Sequence, residues 1–426
     1  MKDKRRLTRI GFVADESFNY FISLFVTTTL LGYITDSLGF SDAEQGIISA
    51  IPTLCLLAQL LAPAFSGMRS KKLVTIGMPI AHFAFLCIYL FPLFDKNEGI
   101  YGFIPYIVIA LLFIGNFINN ALNSTRLVWF MKSVDDDKRG SFTAVKEMIS
   151  LAGGIVISLA LGRIADAYRS DDGTPDSKYY ILCAVIIGVL LLLNFVSLVV
   201  SEDESELPKI NQNCRIDLRK LYQNNVIKKI LVIDIAWYFA LGVSTSFHAS
   251  YLRDDLSFDF TTITILTAVT SVCRFIVSPL MGRLGDKYGF KMSMLVCLVL
   301  EAIAFGGAAL TANGVMKWMY IVYAAFSGFA QAGINSGLMN LVYDYVGPAE
   351  RSSVLGIKGA LGGTVGFIST MLGGVVLSMI QSNGGVKLLG TILSAQQVLS
   401  FVSLCAIVLL VVYVKLVVFK LKRIEI

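Results

Sequence analysis

Glu16…Tyr20-Phe21…Thr27…Tyr33…Asp36…Leu38…Phe40 returns later in the chain as Asp234…Tyr238-Phe239…Thr245…Tyr251…Asp254…Leu256…Phe258, every residue displaced by a constant 218. A second block repeats at an offset of 212, where Asn123-Ser124, Val134, Arg139 and Lys146 answer to Asn335-Ser336, Val346, Arg351 and Lys358. Two blocks at fixed offsets indicate a chain built as two related halves. Both blocks carry polar or charged residues into or beside apolar segments. Duplication and packing alone can account for any single repeated residue, so the function of each has to be argued separately.

The segments around these blocks are long and apolar. The 426 residues are 55% hydrophobic and only 15% charged, with a mean hydropathy of +0.71, whereas soluble domains carry about 25% charged residues. A bilayer core takes about 20 apolar residues per helix, and backbone groups in lipid must bond internally, so the runs read as helices. Spans are expected near 12–34, 45–66, 73–94, 103–124, 144–163, 179–200, 229–251, 260–281, 292–312, 318–341, 353–380 and 392–418. The basic N-terminus (Lys2, Lys4, Arg5, Arg6, Arg9) precedes an apolar run too long for a signal peptide and without a cleavage site, so the run is kept as the first span. The domains expected are 1–200, an N-terminal six-helix bundle; 201–227, a cytoplasmic linker with space for an amphipathic helix at Cys214–Tyr222; and 228–426, a C-terminal six-helix bundle.

Charge placement decides orientation and excludes nucleic acid as the reason for the net charge of +6. One set of alternate loops holds 28 Lys and Arg and the other 7, with Arg274 inside a span. By the positive-inside rule both termini face the cytoplasm, with the chain multi-pass in the cell (inner) membrane. Six of the seven cysteines lie in apolar runs without paired or metal-type spacing, so disulfides, metals and cofactors are not expected.

After span eight the sequence reads Gly282-Arg283-Leu284-Gly285-Asp286-Lys287-Tyr288-Gly289-Phe290-Lys291. This is similar to the cytoplasmic loop of the major facilitator superfamily: glycine, three residues, aspartate, then basic residues and a further glycine. The stretch from Asp135 to Glu147 also resembles a bacterial branch of that superfamily. The matching first-half loop, Ser66 to Lys72, lacks the aspartate and the later glycine, so a gate there must work differently. Antiporter, sugar-porter and peptide-transporter signatures are absent. The resemblance implies an all-α membrane protein, with twelve transmembrane helices in two pseudo-symmetric six-helix bundles and a cavity lined by spans one, four, seven and ten.

Candidate site residues follow. Charges in spans are unfavourable unless paired or facing water. Glu16 is expected to pair with Lys146, and Asp234 with Lys358. A carboxylate beside an ammonium stays ionised, and opening the pair lets the acid take a proton; the same pairs could instead be static braces. Gly282 and Asp286 are assigned to gating. Asn116, Asn119, Asn120 and Asn123 form one stripe on span four, with Gln331 and Asn335 on span ten. Thr27, Thr28, Thr245 and His248 include residues that would face the same cavity, although interhelical hydrogen bonding would also explain such groups. Arg274 suits an anionic substrate or a carboxylate of the protein. Glu301 is read as half of a structural pair and His82 as structural. The glycines of span eleven (Gly356, Gly359, Gly362, Gly363, Gly366) allow close helix approach.

The function expected is secondary active transport of a small polar metabolite by alternating access, coupled to protons. Its partners are the substrate, protons and the lipid bilayer, with the chain acting as a monomer. The alternative is proton-driven export of amphipathic compounds, since Phe is abundant at 28 residues. An enzyme is not expected, because two isolated histidines and scattered cysteines make no catalytic set. A transport-inactive receptor on the same fold is the remaining rival.

Overall fold

The computed structural model describes residues 2–27, 31, 34–35, 37–38, 40, 48, 51–65, 70–93, 103–135, 138–168, 176–201, 224–248, 251–258, 260–348, 350–388 and 391–421. Nearly all of these are helical. The principal helices are α1 (Lys2–Thr27), α2 (residues 51–65, of which Leu56–Phe65 is 3-10), α3 (Ser70–Ile88), α4 (Ile104–Met131), α5 (Arg139–Ala167) and α6 (Ser177–Val200). The second series is α7 (Asn225–Ser244), α8 (Phe260–Tyr288), α9 (Phe290–Leu310), α10 (Tyr320–Tyr345), α11 (Arg351–Ser382) and α12 (Ala395–Tyr413).

Eight of the described helices are long and apolar enough to cross a membrane: α3, α4, α5, α6, α8, α9, α11 and α12. The apolar helix Ile51–Leu61 in α2 is shorter. The others have a physical reason for falling outside the set. Helix α1 carries Asp15 and Glu16, α7 carries Lys228, Lys229 and Asp234, and α10 carries Ser327, Gln331, Asn335 and Ser336. These are three of the four helices expected to line the cavity. The most apolar helices present many of their side chains outward: Ile181, Val185, Val189, Leu192 and Val196 of α6 are all exposed, as are Phe401, Leu409 and Val412 on α12. In water such surfaces would associate, whereas in lipid they are solvated.

The chain divides into two compact units, residues 1–135 with 146–214, and residues 136–145 with 215–426. Within each, packing follows the same scheme. Helix α1 packs on α6 as α7 does on α12, α2 on α4 as α8 on α10, α3 on α4 as α9 on α10, and α3 on α6 as α9 on α12. The first unit buries Phe25, Phe85, Tyr89, Tyr179, Cys183 and Ile187 in one cluster, and the Tyr89 hydroxyl donates to Phe25 O at 2.7 Å. A third repeat offset becomes visible in three dimensions. Lys71 Nζ donates to the carbonyls of Val199 and Ser201 at the end of α6, and Lys291 Nζ donates to those of Phe419 and Leu421 beyond α12. All three residues of the set are displaced by 220.

Several boundaries differ from the sequence expectation. Span four, expected to end at 124, continues to Met131, which places Arg126 inside the helix. Span eight continues to Tyr288, so Gly282 and Asp286 lie in its last helical turns rather than in a loop. The turn itself is at Gly289, whose φ of 86° suits only glycine without strain. Residues 386–388 and 391–393 form a small antiparallel hairpin in place of the start of span twelve. That helix begins at Ala395, where Ser394 and Gln397 make a capping box. Residues 136–145, expected in the first half, group with the second unit. Thr28, the Thr27 side chain, Ser66 to Arg69 and most of the linker, Cys214–Tyr222 included, lie outside the described residues.

Candidate functional site: a buried charge network and an amide stripe

Helix α1 presents Asp15, Glu16 and Asn19 within about one turn, and α4 presents Asn116, Asn119, Asn120, Asn123 and Arg126 at spacings of three and four. The two sets meet. Arg126 Nη1 lies 2.9 Å from Asp15 Oδ2 and its Nη2 lies 3.0 Å from Glu16 Oε1. Nη2 also donates to Asn123 Oδ1 at 3.3 Å. Lys146 Nζ on α5 is 3.5 Å from Glu16 Oε2 and lies over the Phe12 ring. Asn194 on α6 donates to Asp15 Oδ1 at 2.8 Å. Two acids and two cations therefore balance. Asp15 and Arg126 are almost completely enclosed, while the Glu16 and Lys146 side chains keep 20% and 16% exposure. Glu16 and Lys146 are thus the half of the network that water or a ligand can reach.

One turn further along, Asn119 Nδ2 donates to Asn19 Oδ1 at 3.1 Å, and His82 Nε2 lies 3.0 Å from the same oxygen. Gln59 Nε2 donates to Asn120 Oδ1 at 3.3 Å. Asn116 and Asn120 donate to carbonyls of their own helix, Leu112 O and Asn116 O. The stripe thus has two functions. Asn119 and Asn123 bond across to α1 and to Arg126, whereas Asn116 is buried and self-satisfied.

In the second unit Lys358 Nζ lies 2.9 Å from Asp234 Oδ1, with Asp234 fully buried. The larger cluster of the first unit has no counterpart there. At the repeat positions of Asp15, Arg126 and Asn194 stand Ile233, Leu338 and Val414, all buried. An ion pair with its amide in one half is an apolar trio in the other. Tyr20 and Tyr238, by contrast, keep the same neighbour. A Cβ on Gly154 would meet the Tyr20 ring, and one on Gly366 the Tyr238 ring.

The remaining candidates in the second unit lie apart. His248 is buried between Ser244 Oγ and Tyr320 OH, each 3.0 Å from a ring nitrogen, and Gln396 donates to Ser244. This cluster ties α7 to α10 and α12. Thr245 donates to Leu241 O. Gln331 donates to Ser327 Oγ, Asn335 is exposed, and Arg274 is half-buried on α8. Glu301, expected in a structural ion pair, has no cation partner among the described residues; its Oε1 accepts from Ser327 Oγ at 3.3 Å.

At the end of α8, Asp286 accepts from Gly140 N and Ser141 N at 2.7 Å each, and from Ser141 Oγ at 2.5 Å. A carboxylate is thereby seated on the free amides of a helix N-terminus, which carries partial positive charge. Gly282 makes this approach possible, since a Cβ there would lie 2.6 Å from Gly140 O. Beside it, Arg139 and Arg351, which are repeat mates, stack on the Tyr343 ring at 4.9 and 4.8 Å.

Sequence reasoning missed Asp15, Asn19, Arg126 and Asn194. The signal for Arg126 was present, since it continues the 116–119–120–123 stripe by one more step of three. Ending span four at 124 moved it into a loop. Asn194 sits in an otherwise apolar run and only packing identifies its partner.

The Major Facilitator Superfamily model matches residues 17–249 and again 231–425. The chain is 27% identical over 123 residues to the hexuronate transporter of Bacillus subtilis (strain 168), covering 28% of each protein. It is 23% identical over 223 residues to the probable multidrug resistance protein EmrY of Escherichia coli (strain K12), covering 51% of this chain and 40% of that one. The chain thus spans less than half the length of the curated relatives it matches. Among solved structures, a bacterial homologue of the iron transporter ferroportin in the outward-facing state superposes with a TM-score of 0.70 at 14% identity, covering 96% of this chain and 98% of the other. The E. coli fucose:proton symporter FucP gives 0.68 at 11% identity, covering 98% of both.

Proposed function

Because the chain belongs to the major facilitator superfamily, we propose that it is a secondary active transporter moving a small polar metabolite by alternating access, with proton coupling. The observation that carries this reading is the partly exposed set Glu16, Lys146, Asn119 and Asn123 beside the enclosed Asp15–Arg126 pair. Amides and a charge-balanced pair offer donors and acceptors to a hydroxyl-rich or acidic solute. A lipophilic substrate would offer these groups no hydrogen bonds in exchange for any it displaced. The named relatives for hexuronate and fucose fit the same class.

Proton coupling is assigned to Glu16. With Lys146 and Arg126 in place it stays ionised; a substrate or a helix movement that draws the cations away lets it take a proton. Asp234 with Lys358 has the same chemistry in the second unit. Asp286 fastens the first turn of α5 to the end of α8. The charge split of 28 to 7 favours cytoplasmic termini in the inner membrane, and we take the working unit to be a monomer.

A thermal-shift screen against sugars, sugar acids, amino acids, nucleosides and cationic drugs tests the substrate class, since a ligand that binds the folded state raises its melting temperature. The expected result is a hydrophilic hit whose shift vanishes in Asn119→Ala. Stabilisation by lipophilic cations alone, unaffected by Asn119→Ala, would transfer the assignment to the drug-export class of the EmrY relative.

A further inference from the structure

Outside the charge network, Glu301 is a fully buried acid with no cation partner among the described residues. We propose that Glu301 on α9 is a proton-binding site of the second unit, from which Ser327 and Gln331 of α10 lead toward the exposed Asn335. Glu301 is 0% exposed. Its Oε1 accepts from Ser327 Oγ, and its Oε2 has no hydrogen-bond partner among the described residues. A carboxylate so placed, without a cation, is disfavoured relative to the neutral acid, because burial strips it of water without supplying a counter-charge. Glu16 and Asp234 are neutralised by cations, whereas Glu301 is neutralised by a proton.

The surroundings supply a route and little else. Ser327, Gln331 and Asn335 follow at steps of four on α10, along one side of the helix. Gln331 Nε2 donates to Ser327 Oγ at 3.1 Å, and Asn335 is exposed. The polar steps therefore lead from the buried acid to an accessible amide. Of the elements packed on α9, α10 contributes Tyr323 as the titratable group that interacts with Glu301. Among the described residues, α8 and α12 contribute no charged partner. The cations of the short segments beside α9 are directed elsewhere: Lys317 lies over Phe258 and Trp318, and Lys415 is exposed. The acid is particular to the second unit: at the displacement of 220 shared by Lys71 and Lys291 the first unit has buried Ala81.

The role of this site in transport rests on the proton-coupled reading, but proton binding itself can be measured without transport. Full-length protein in lipid is followed by infrared difference spectroscopy through a step to alkaline pH. The expected result is loss of a carboxylic C=O band that is missing in Glu301→Gln and shifted in Ser327→Ala, which keeps the acid and removes its hydroxyl partner. A band change that is identical in wild type and both variants overturns the proposal. With a transported substrate, Glu301→Gln is expected to keep substrate exchange and lose accumulation driven by a pH gradient. If wild type shows no such accumulation while the band still depends on Glu301, the proton site stands and the coupling reading falls.

Discussion

Arg126 is the residue on which the first unit's network depends, because it alone touches both Asp15 and Glu16. Arg126→Ala leaves Asp15 buried without its charge partner, a loss of about 3–5 kcal/mol for a broken buried pair. The expected outcome is a sharply lowered melting temperature in detergent. The second unit indicates how to repair it. Combining Asp15→Ile, Arg126→Leu and Asn194→Val installs the trio that the repeat already carries as Ile233, Leu338 and Val414. Replacing a buried ion pair by apolar groups of similar volume is often neutral or stabilising. The triple variant is therefore expected to melt close to wild type while transport is lost. A triple variant that transports normally would reduce the pair to a brace. None of this was legible from residues taken singly. Glu16 stood out as a charge in an apolar run, but Asp15 beside it gains meaning only from Arg126 and Asn194, which lie far away in sequence.

At the scale of elements, two devices recur. The lysine at the start of α3 or α9 covers the last carbonyls of α6 or the end of the α12 region, which carry partial negative charge. Lys71→Met and Lys291→Met are each expected to cost about 1 kcal/mol. Each variant should also speed amide exchange in its own partner, α6 in one and the end of the α12 region in the other, which hydrogen-exchange mass spectrometry resolves. The second device is the seat of Asp286 on the first amides of α5. Asp286→Ala removes three acceptor contacts at once, so the segment around Arg139, now buried against Tyr343, is expected to be cut faster by trypsin. An unchanged cleavage rate would mean that the arginine stacking holds the segment unaided. Helix identity was readable from apolar runs, but helix ends were not. Span four lost Arg126, and span eight lost Asp286 to a supposed loop, because polar residues that are satisfied by tertiary partners look in sequence like the end of a span.

At the scale of the molecule, the two halves share helix packing and differ in charge. The repeat made the duplication visible, and it also exposes the asymmetry once the structure supplies the alignment. The first unit has the larger ion network, and the second has a simpler pair and a buried acid, Glu301, with no cation partner among the described residues. The family and the helical membrane fold were accessible from composition, charge placement and the Gly282–Lys291 motif. The substrate was not, because it depends on which amides remain half-exposed after the helices have satisfied one another. The proposed function is proton-coupled movement of a polar solute with Glu16 as the proton carrier. Its most direct test is uptake into proteoliposomes of the hit from the thermal-shift screen, with and without an imposed pH gradient, in wild type and Glu16→Gln. Accumulation against a concentration gradient is expected in wild type only when the pH gradient is present, with exchange but no accumulation in Glu16→Gln. Accumulation that ignores the pH gradient, or that persists unchanged in Glu16→Gln, would contradict it.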